Sequence, residues 1–178
     1  YLFALLPWSW WASASKQTNV YATQEREADG AGGRGGGRTR PWAPTTPQEM
    51  CGYVGILMIM ALVPLPSVEY FFTDKLGLQF LVLPSLRHIM SLLRFQQIKR
   101  YFHLADNKGR KERGHPKYDR LFHVRPMLDT ISATFKKYYE LGWAVAVDES
   151  MIPFKRRSFM KQYLKDKPCK WGFKVWAM

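Results

Sequence analysis

Residues that could do chemistry gather in the last third of the chain. Asp148, followed by Glu149 and Ser150, comes directly after the apolar run Trp143-Ala-Val-Ala-Val147. A carboxylate at the carboxyl end of a buried strand is well placed to hold a divalent cation, because the strand fixes its oxygens at an open sheet edge. One carboxylate is not a site: two-metal phosphoryl transfer needs several acidic ligands to hold ions ~4 Å apart and clamp both the attacking and the leaving oxygen. By itself Asp148 can also be read as a turn or cap residue. Downstream, Lys155, Arg156, Arg157, Lys161, Lys165, Lys167, Lys170 and Lys174 are interleaved with Phe154, Phe159, Tyr163, Trp171 and Trp176. Such a surface suits salt-dependent, sequence-tolerant contact with phosphates. The competing reading is a solvated strand face whose lysines guard its edges. His103, His115 and His123 have no metal-ligand spacing with Asp148 and read as polar surface residues. Cys51 and Cys169 are far apart and lack a Cys-x-x-Cys pattern, so neither a disulfide framework nor a structural zinc site is indicated. They read as reduced thiols of an intracellular protein.

The elements that must position these residues fit in 178 residues, enough for one domain or two small ones. The chain is 47% apolar and 23% charged, so it can bury a core, and 27 Lys+Arg against 14 Asp+Glu gives a net charge of +13. A polyanionic partner is indicated, nucleic acid ahead of a membrane surface. The excess is uneven: residues 1–93 hold seven basic and six acidic residues, and residues 94–178 hold twenty and eight. The partner should touch the second half.

Along the chain, the opening Tyr1–Ser15 is apolar with no basic residue before Lys16, and Ala12-Ser-Ala14 resembles a cleavage site. The segment is expected to lie outside the fold, as an edge or the remnant of a signal. Gly30-Ala-Gly-Gly-Arg-Gly-Gly-Gly-Arg-Thr-Arg40 reads as a flexible insertion whose arginines could brush phosphates. Order is expected from Thr46, where Thr46-Pro-Gln-Glu49 supplies a capping hydroxyl, Pro at the first helical position and Glu at the third. The apolar Met50–Val63 run, stopped by Pro64, is too short to span a bilayer and reads as a core helix. A short helix over 66–72, a Ser91-capped helix to Leu104, a polar basic loop over 107–119 and a helix from Pro126 to Gly142 follow. In the last, Met127, Ile131, Phe135 and Tyr138 form a core stripe; Arg125 is placed to meet Asp119 or Asp129. After Gly142 the period shortens, and strands are expected at 143–147, 159–164 and 171–176, joined as an antiparallel meander.

Several blocks together resemble the piggyBac transposase family. They are Thr18-Asn-Val-Tyr-Ala22, Trp42-Ala-Pro-Thr45, Met90-Ser-Leu-Leu-Arg-Phe95, Phe102-His-Leu-Ala-Asp-Asn107, Tyr118-Asp-Arg-Leu-Phe-His-Val-Arg-Pro126, Val147-Asp-Glu-Ser-Met-Ile-Pro-Phe-Lys155, Phe159-Met-Lys-Gln-Tyr163 and Lys167-Pro-Cys-Lys-Trp-Gly-Phe-Lys-Val-Trp176. They occur in the family's order with compatible gaps, over roughly residues 18–178. Departures are Arg156, where a Gly often follows the Lys, and the insertion at 30–40.

The resemblance implies a DDE/D-type DNA transposase of α+β class: a mainly helical dimerisation and DNA-binding region, then the first three strands of an RNase H-like core, incomplete here. Residues 1–45 are expected to be poorly ordered and 46–142 to form the helical region, with 143–178 the start of the catalytic domain that the resemblance implies. Asp148 matches the first catalytic Asp and a Mg2+ ligand. The two later aspartates are expected beyond Met178, and the family's cysteine-rich DNA-end-binding module is not matched. The implied reaction is Mg2+-assisted attack of water, then of a DNA 3′-hydroxyl, on phosphodiester bonds. Lys155, Arg156, Arg157, Lys161, Lys170 and Lys174 are the candidate DNA contacts, with DNA and a second copy as partners, a nuclear location and no membrane. With one catalytic Asp, the chain itself is expected not to cleave. A non-catalytic DNA-binding or dimerisation module and a decayed transposon remnant stay open as alternatives.

Overall fold

A computed structural model describes residues 2–31, 41–73, 85–140 and 142–177. The chain divides into two compact units, Tyr1–Lys136 and Lys137–Met178. The first is helical: α1 (Leu2–Leu5), α2 (Trp8–Ala31), α3 (Pro47–Leu62), α4 (Leu92–Tyr101) and most of α5 (Arg125–Tyr138). The second carries β1 (Asp148–Pro153), β2 (Gln162–Tyr163) and β3 (Trp171–Ala177). No described helix is long and apolar enough to cross a membrane.

The start of the chain belongs to the fold, against the expectation for residues 1–15 and for disorder as far as residue 45. Trp10, Trp11, Ala14, Ser15, Thr18 and Ala22 recur at helical spacing on α2 and are buried. Trp11, wholly buried, donates its indole N–H to the Leu6 carbonyl at 2.9 Å, so its one polar atom is satisfied. The glycine–arginine tract beyond Ala31 lies outside the described residues.

α3 starts as its sequence dictates. The Thr46 hydroxyl accepts from the Glu49 N–H, Pro47 opens the helix and Val63 ends it in extended conformation before Pro64. Met50, Tyr53 and Ile56 are its buried face. Burial pushes the Tyr53 phenol up to about 12 and raises the Cys51 thiol. The short helix after Pro66 is a 3-10 turn, Val68–Phe72, capped by Ser67. Ser91 caps α4, whose Phe95 and Ile98 are buried in one core with α2 and α3 residues, while its buried Tyr101 packs edge-on against Trp42. α4 stops at Tyr101, not Leu104, because the Thr18 hydroxyl takes both backbone groups of His103, accepting from its N–H and donating to its carbonyl at 3.2 Å each.

α5 ends at Tyr138, short of Gly142. Its stripe is only half core: Met127 and Ile131 pack on the helical core, whereas Phe135 and Tyr138 are 54% and 61% exposed.

In the second unit all pairing is antiparallel, but the strand order is β1-β3-β2, so β3 lies in the middle and the arrangement is not a meander. Trp143–Val147 is irregular and exposed instead of a buried strand. The ladder ends at Asp148↔Ala177, and no described residue of β3 stands opposite the residues before Asp148. Asp148 therefore begins β1 and does not end a preceding strand. β2 contracts to two residues paired with Gly172 and Trp171, and the Leu164 N–H to Lys170 carbonyl bond (2.9 Å) closes the turn between β2 and β3.

Candidate nucleic-acid interface and its strand-borne carboxylate

The site in the second unit depends on one close approach. Gly172 stands opposite Pro153 and Gln162, and a Cβ there would collide with the Ile152 carbonyl oxygen. Only glycine lets β1 lie this close to β3. The register that follows puts Asp148 beside Ala177, Ser150 beside Val175 and Ile152 beside Phe173. Phe154 extends this face by packing at a tilt against Phe173, with centroids 4.6 Å apart, and Tyr163 meets Trp171 at 4.8 Å.

Asp148 is an open carboxylate, its side chain 84% exposed. Its Oδ1 accepts the Glu149 N–H at 2.7 Å and lies 3.9 Å from the Lys167 ammonium. Glu149, one residue on, alternates to the opposite side of the strand. There it is held by Lys174 at 2.5 Å and Lys167 at 3.9 Å, while Lys167 also donates to the Glu149 carbonyl at 3.0 Å. No second free carboxylate converges on Asp148, and no three His, Cys, Asp or Glu side chains gather among the described residues. A hard divalent cation needs several oxygen donors. The described residues alone do not fit one, whether Mg2+ or another.

The candidate phosphate contacts differ in how free they are. Lys155, Arg156 and Arg157, in the turn after β1, are exposed and form no ion pair with a described residue. Lys170 is exposed before β3. Lys161 lies over the Trp171 ring at 5.1 Å, and Lys174 over Trp176 at 4.6 Å while also bound to Glu149. Lys174 is thus engaged within the sheet. The reading from sequence missed Lys167 and Glu149 as partners of Asp148 and Lys174; β alternation places Asp148 and Glu149 on opposite faces, but the pairing needed the register.

In the helical unit, residues of the separate sequence blocks meet one another. Asn19 pins Thr45 through two bonds, donating to its carbonyl at 2.9 Å and accepting from its N–H at 2.7 Å. Arg94 reaches Glu49 with two nitrogens, at 2.5 and 2.7 Å, and lies over the Trp42 ring at 4.8 Å. The Arg94 hydrogen bonds hold the Glu49 carboxyl below its ordinary value. Arg125 chooses Asp119, with bonds of 2.8 and 2.9 Å that lower the Asp119 carboxyl to about 2. The histidines are less peripheral than expected. His103 stacks on Tyr21 at 4.0 Å, bonds Asn107 at 2.9 Å and meets His123 edge-on at 5.3 Å. Burial, then the neighbouring His103 and Arg110, depress the His123 imidazole.

Set against known proteins, the whole chain, residues 1–178, matches the family model described as Transposase IS4. It is 29% identical over 133 residues to the Homo sapiens protein "PiggyBac transposable element-derived protein 2", covering 74% of this chain and 21% of that one. It is 24% identical over 132 residues to the Homo sapiens "PiggyBac transposable element-derived protein 3", with coverages of 74% and 21%. The chain thus spans about a fifth of the length of these relatives. Its fold is similar, with a TM-score of 0.72 at 21% identity, to a chain in the cryo-EM structure of the piggyBac transposase synaptic complex with hairpin DNA, covering 98% of this chain and 34% of that one.

Proposed function

The chain belongs to the piggyBac transposases within the Transposase IS4 family, and from that premise we propose that it is a DNA-contacting, non-cleaving portion of a transposase-derived protein. The observation that carries the reading is the exposed Lys155-Arg156-Arg157 turn, without an ion-pair partner among the described residues, next to the strand that bears Asp148. Its three cations approach a phosphate backbone, and Lys161 and Lys170 extend the contact; Lys174, bound to Glu149, serves the sheet first. The three-stranded sheet is the opening of an RNase H-like core, a reading supported by the likeness of fold to the piggyBac transposase structure. Asp148 is one ligand toward Mg2+ in that core, completed by carboxylates that are not among the described residues. A nuclear location follows from the DNA partner, and a second copy of the chain is the partner of the helical unit.

Binding of a blunt duplex by the full chain, titrated over a salt series, tests this. Binding that weakens steeply with salt is expected, and changing Lys155, Arg156 and Arg157 to Gln lowers the log–log slope by about one unit for each of the three that meets a phosphate. With Mg2+ present the duplex stays intact, and Asp148→Asn binds like the parent. No binding even at low salt overturns the DNA reading; nicking that disappears in Asp148→Asn overturns the non-cleaving one.

A further inference from the structure

The turn that follows β1 carries a hydroxyl as well as its cations. The sheet unit has two serines and no threonine. Ser150 lies within the β1–β3 ladder opposite Val175, whereas Ser158 lies beyond it. The β1 ladder ends at Pro153, the Phe154 N–H makes a last bond to the Trp171 carbonyl at 3.3 Å, and pairing resumes at Gln162. Between these points the chain reads Lys155-Arg-Arg-Ser-Phe159. The three cations are exposed, Ser158 is half-buried and Phe159 is 64% exposed. Among the described residues no other Ser or Thr directly follows three cations.

What holds Ser158 is local. Its hydroxyl accepts from the Met160 N–H at 3.3 Å, and its carbonyl accepts from the Lys161 N–H at 3.2 Å. Both bonds lie within the turn, so an enzyme can draw residues 155–159 into its cleft without breaking a rung of the β1–β3 ladder. A kinase that selects basic substrates uses its own carboxylates to read cations two and three positions before the acceptor, and packs an apolar residue just after it. Arg156 and Lys155 stand at those two positions, and Phe159 follows the serine. Arg156 stands where the piggyBac family often has Gly, so the pattern belongs to this chain rather than to its family.

We propose that Ser158 is a phosphorylation site for a serine kinase of basic-substrate preference, and that its phosphate withdraws the turn from DNA. A kinase carboxylate takes the hydroxyl proton and Ser158 Oγ bonds to the γ-phosphorus of ATP. The bond from that phosphorus to the bridging oxygen breaks, and ADP leaves. The phosphoserine carries a charge of about −1.5 to −2 beside Lys155, Arg156 and Arg157, and offers them oxygens to pair with. Cations paired in this way no longer release counterions from a duplex. The control of binding rests on the DNA reading above and deepens it; the modification site does not need it.

The test begins with the folded full chain, ATP, Mg2+ and the catalytic subunit of cyclic-AMP-dependent protein kinase. Intact mass should show a phosphate gained, peptide fragmentation should place it on Ser158, and Ser158→Ala should lose it. Arg156→Gln should slow the transfer about tenfold, since one charge-assisted contact to the kinase is removed. Circular dichroism checks that both variants keep the parent's fold. The phosphorylated chain should bind a blunt duplex with a log–log salt slope lower than the parent's by about one to two units. No phosphate, phosphate only on other residues, or transfer only after heat unfolding overturns the modification site. The parent's rate in Arg156→Gln overturns the basic-substrate recognition. A slope unchanged by the phosphate, where the parent binds DNA, overturns the control. Phosphate on Ser158 in a parent that binds no duplex at any salt upholds the site, and the control falls with the DNA reading.

Discussion

The two units of this chain solve the problem of burial differently. The helical unit surrounds its largest side chains: Trp11 is fully buried, Phe95 is 1% exposed, and α2, α3 and α4 all contribute to one core. The sheet unit leaves its large side chains open, with Trp171 at 53% and Trp176 at 66% exposure, and Gly172 is its buried strand residue. Electrostatics does not divide so cleanly, since Glu149 pairs with Lys174 inside the sheet unit. Glu49–Arg94 and Asp119–Arg125 are pairs within the helical unit, whereas Lys155, Arg156 and Arg157 form no ion pair with a described residue. A unit that has buried its aromatics can stand as a scaffold; one that leaves them open offers its surface to something else.

The largest break in that contrast should come from the core. Trp11→Ala removes a wholly buried indole and its bond to Leu6, and should destabilise the helical unit by about 3–5 kcal/mol, measured by urea unfolding followed by far-UV circular dichroism. Trp171→Ala should change the same transition by less than about 0.5 kcal/mol, because that ring lies in the other unit and is half exposed. Equal effects would mean that the units do not differ as described.

Next in size is the Arg94 clasp. Arg94→Ala leaves the part-buried Glu49 carboxylate without its partner and takes the guanidinium off Trp42, at a cost of about 2 kcal/mol in the same unfolding measurement. Lys in its place should recover only part of this, since an ammonium cannot make the two-nitrogen contact. Full recovery with Lys would show that charge alone matters there.

In the sheet unit, Gly172→Ala should act locally. Its methyl meets the Ile152 carbonyl, so the strands must separate, and hydrogen exchange should speed up at the Phe154 and Leu164 amides while α3 and α4 amides keep their protection. Unchanged exchange at Phe154 would show that the strands tolerate the wider spacing.

What could be read in advance follows the same division. Local signals worked where a few adjacent residues decide the outcome. Thr46-Pro-Gln-Glu49 and Ser91 fixed where α3 and α4 begin, and the alternation from Trp171 to Val175 marked β3. Composition misled at α2: its buried stripe is carried beyond Trp11 by Ala14, Ser15, Thr18 and Ala22, small residues without apolar periodicity, and Thr18 and Asn19 matter through partners 85 and 26 positions away. Trp143–Val147 has strand-forming side chains, but strands exist by pairing, and no described residue pairs with it. For the candidate site, the cations after β1 were legible as residue types. That Lys174 belongs to Glu149 was not, because it depends on a register set at Gly172.

The smallest expected effect sharpens the comparison through pH. In the helical unit His123 is held below its ordinary value of 6.5, first by burial and then by His103 and Arg110. The folded form therefore binds fewer protons there than the unfolded chain does, and the stabilisation is full above about pH 6.5 and is lost progressively as pH falls below it toward the lower folded value. Asp119, lowered to about 2 from 3.8 by Arg125, acts in a separate window: its contribution is complete above about pH 4 and fades between there and about pH 2. Between about pH 7.5 and 5.5 only the histidine contributes of these two, and because it is only part-buried the thermal midpoint should drop by no more than about 2 °C. His123→Phe, which keeps a ring against Phe122 and His103 but cannot titrate, should flatten that slope and leave the loss below pH 4 in place. Asp119→Asn should do the reverse. A His123→Phe chain with the parent's slope from pH 7.5 to 5.5 would place the titrating group elsewhere, and the neutral imidazole would then not be part of what holds the helical unit together.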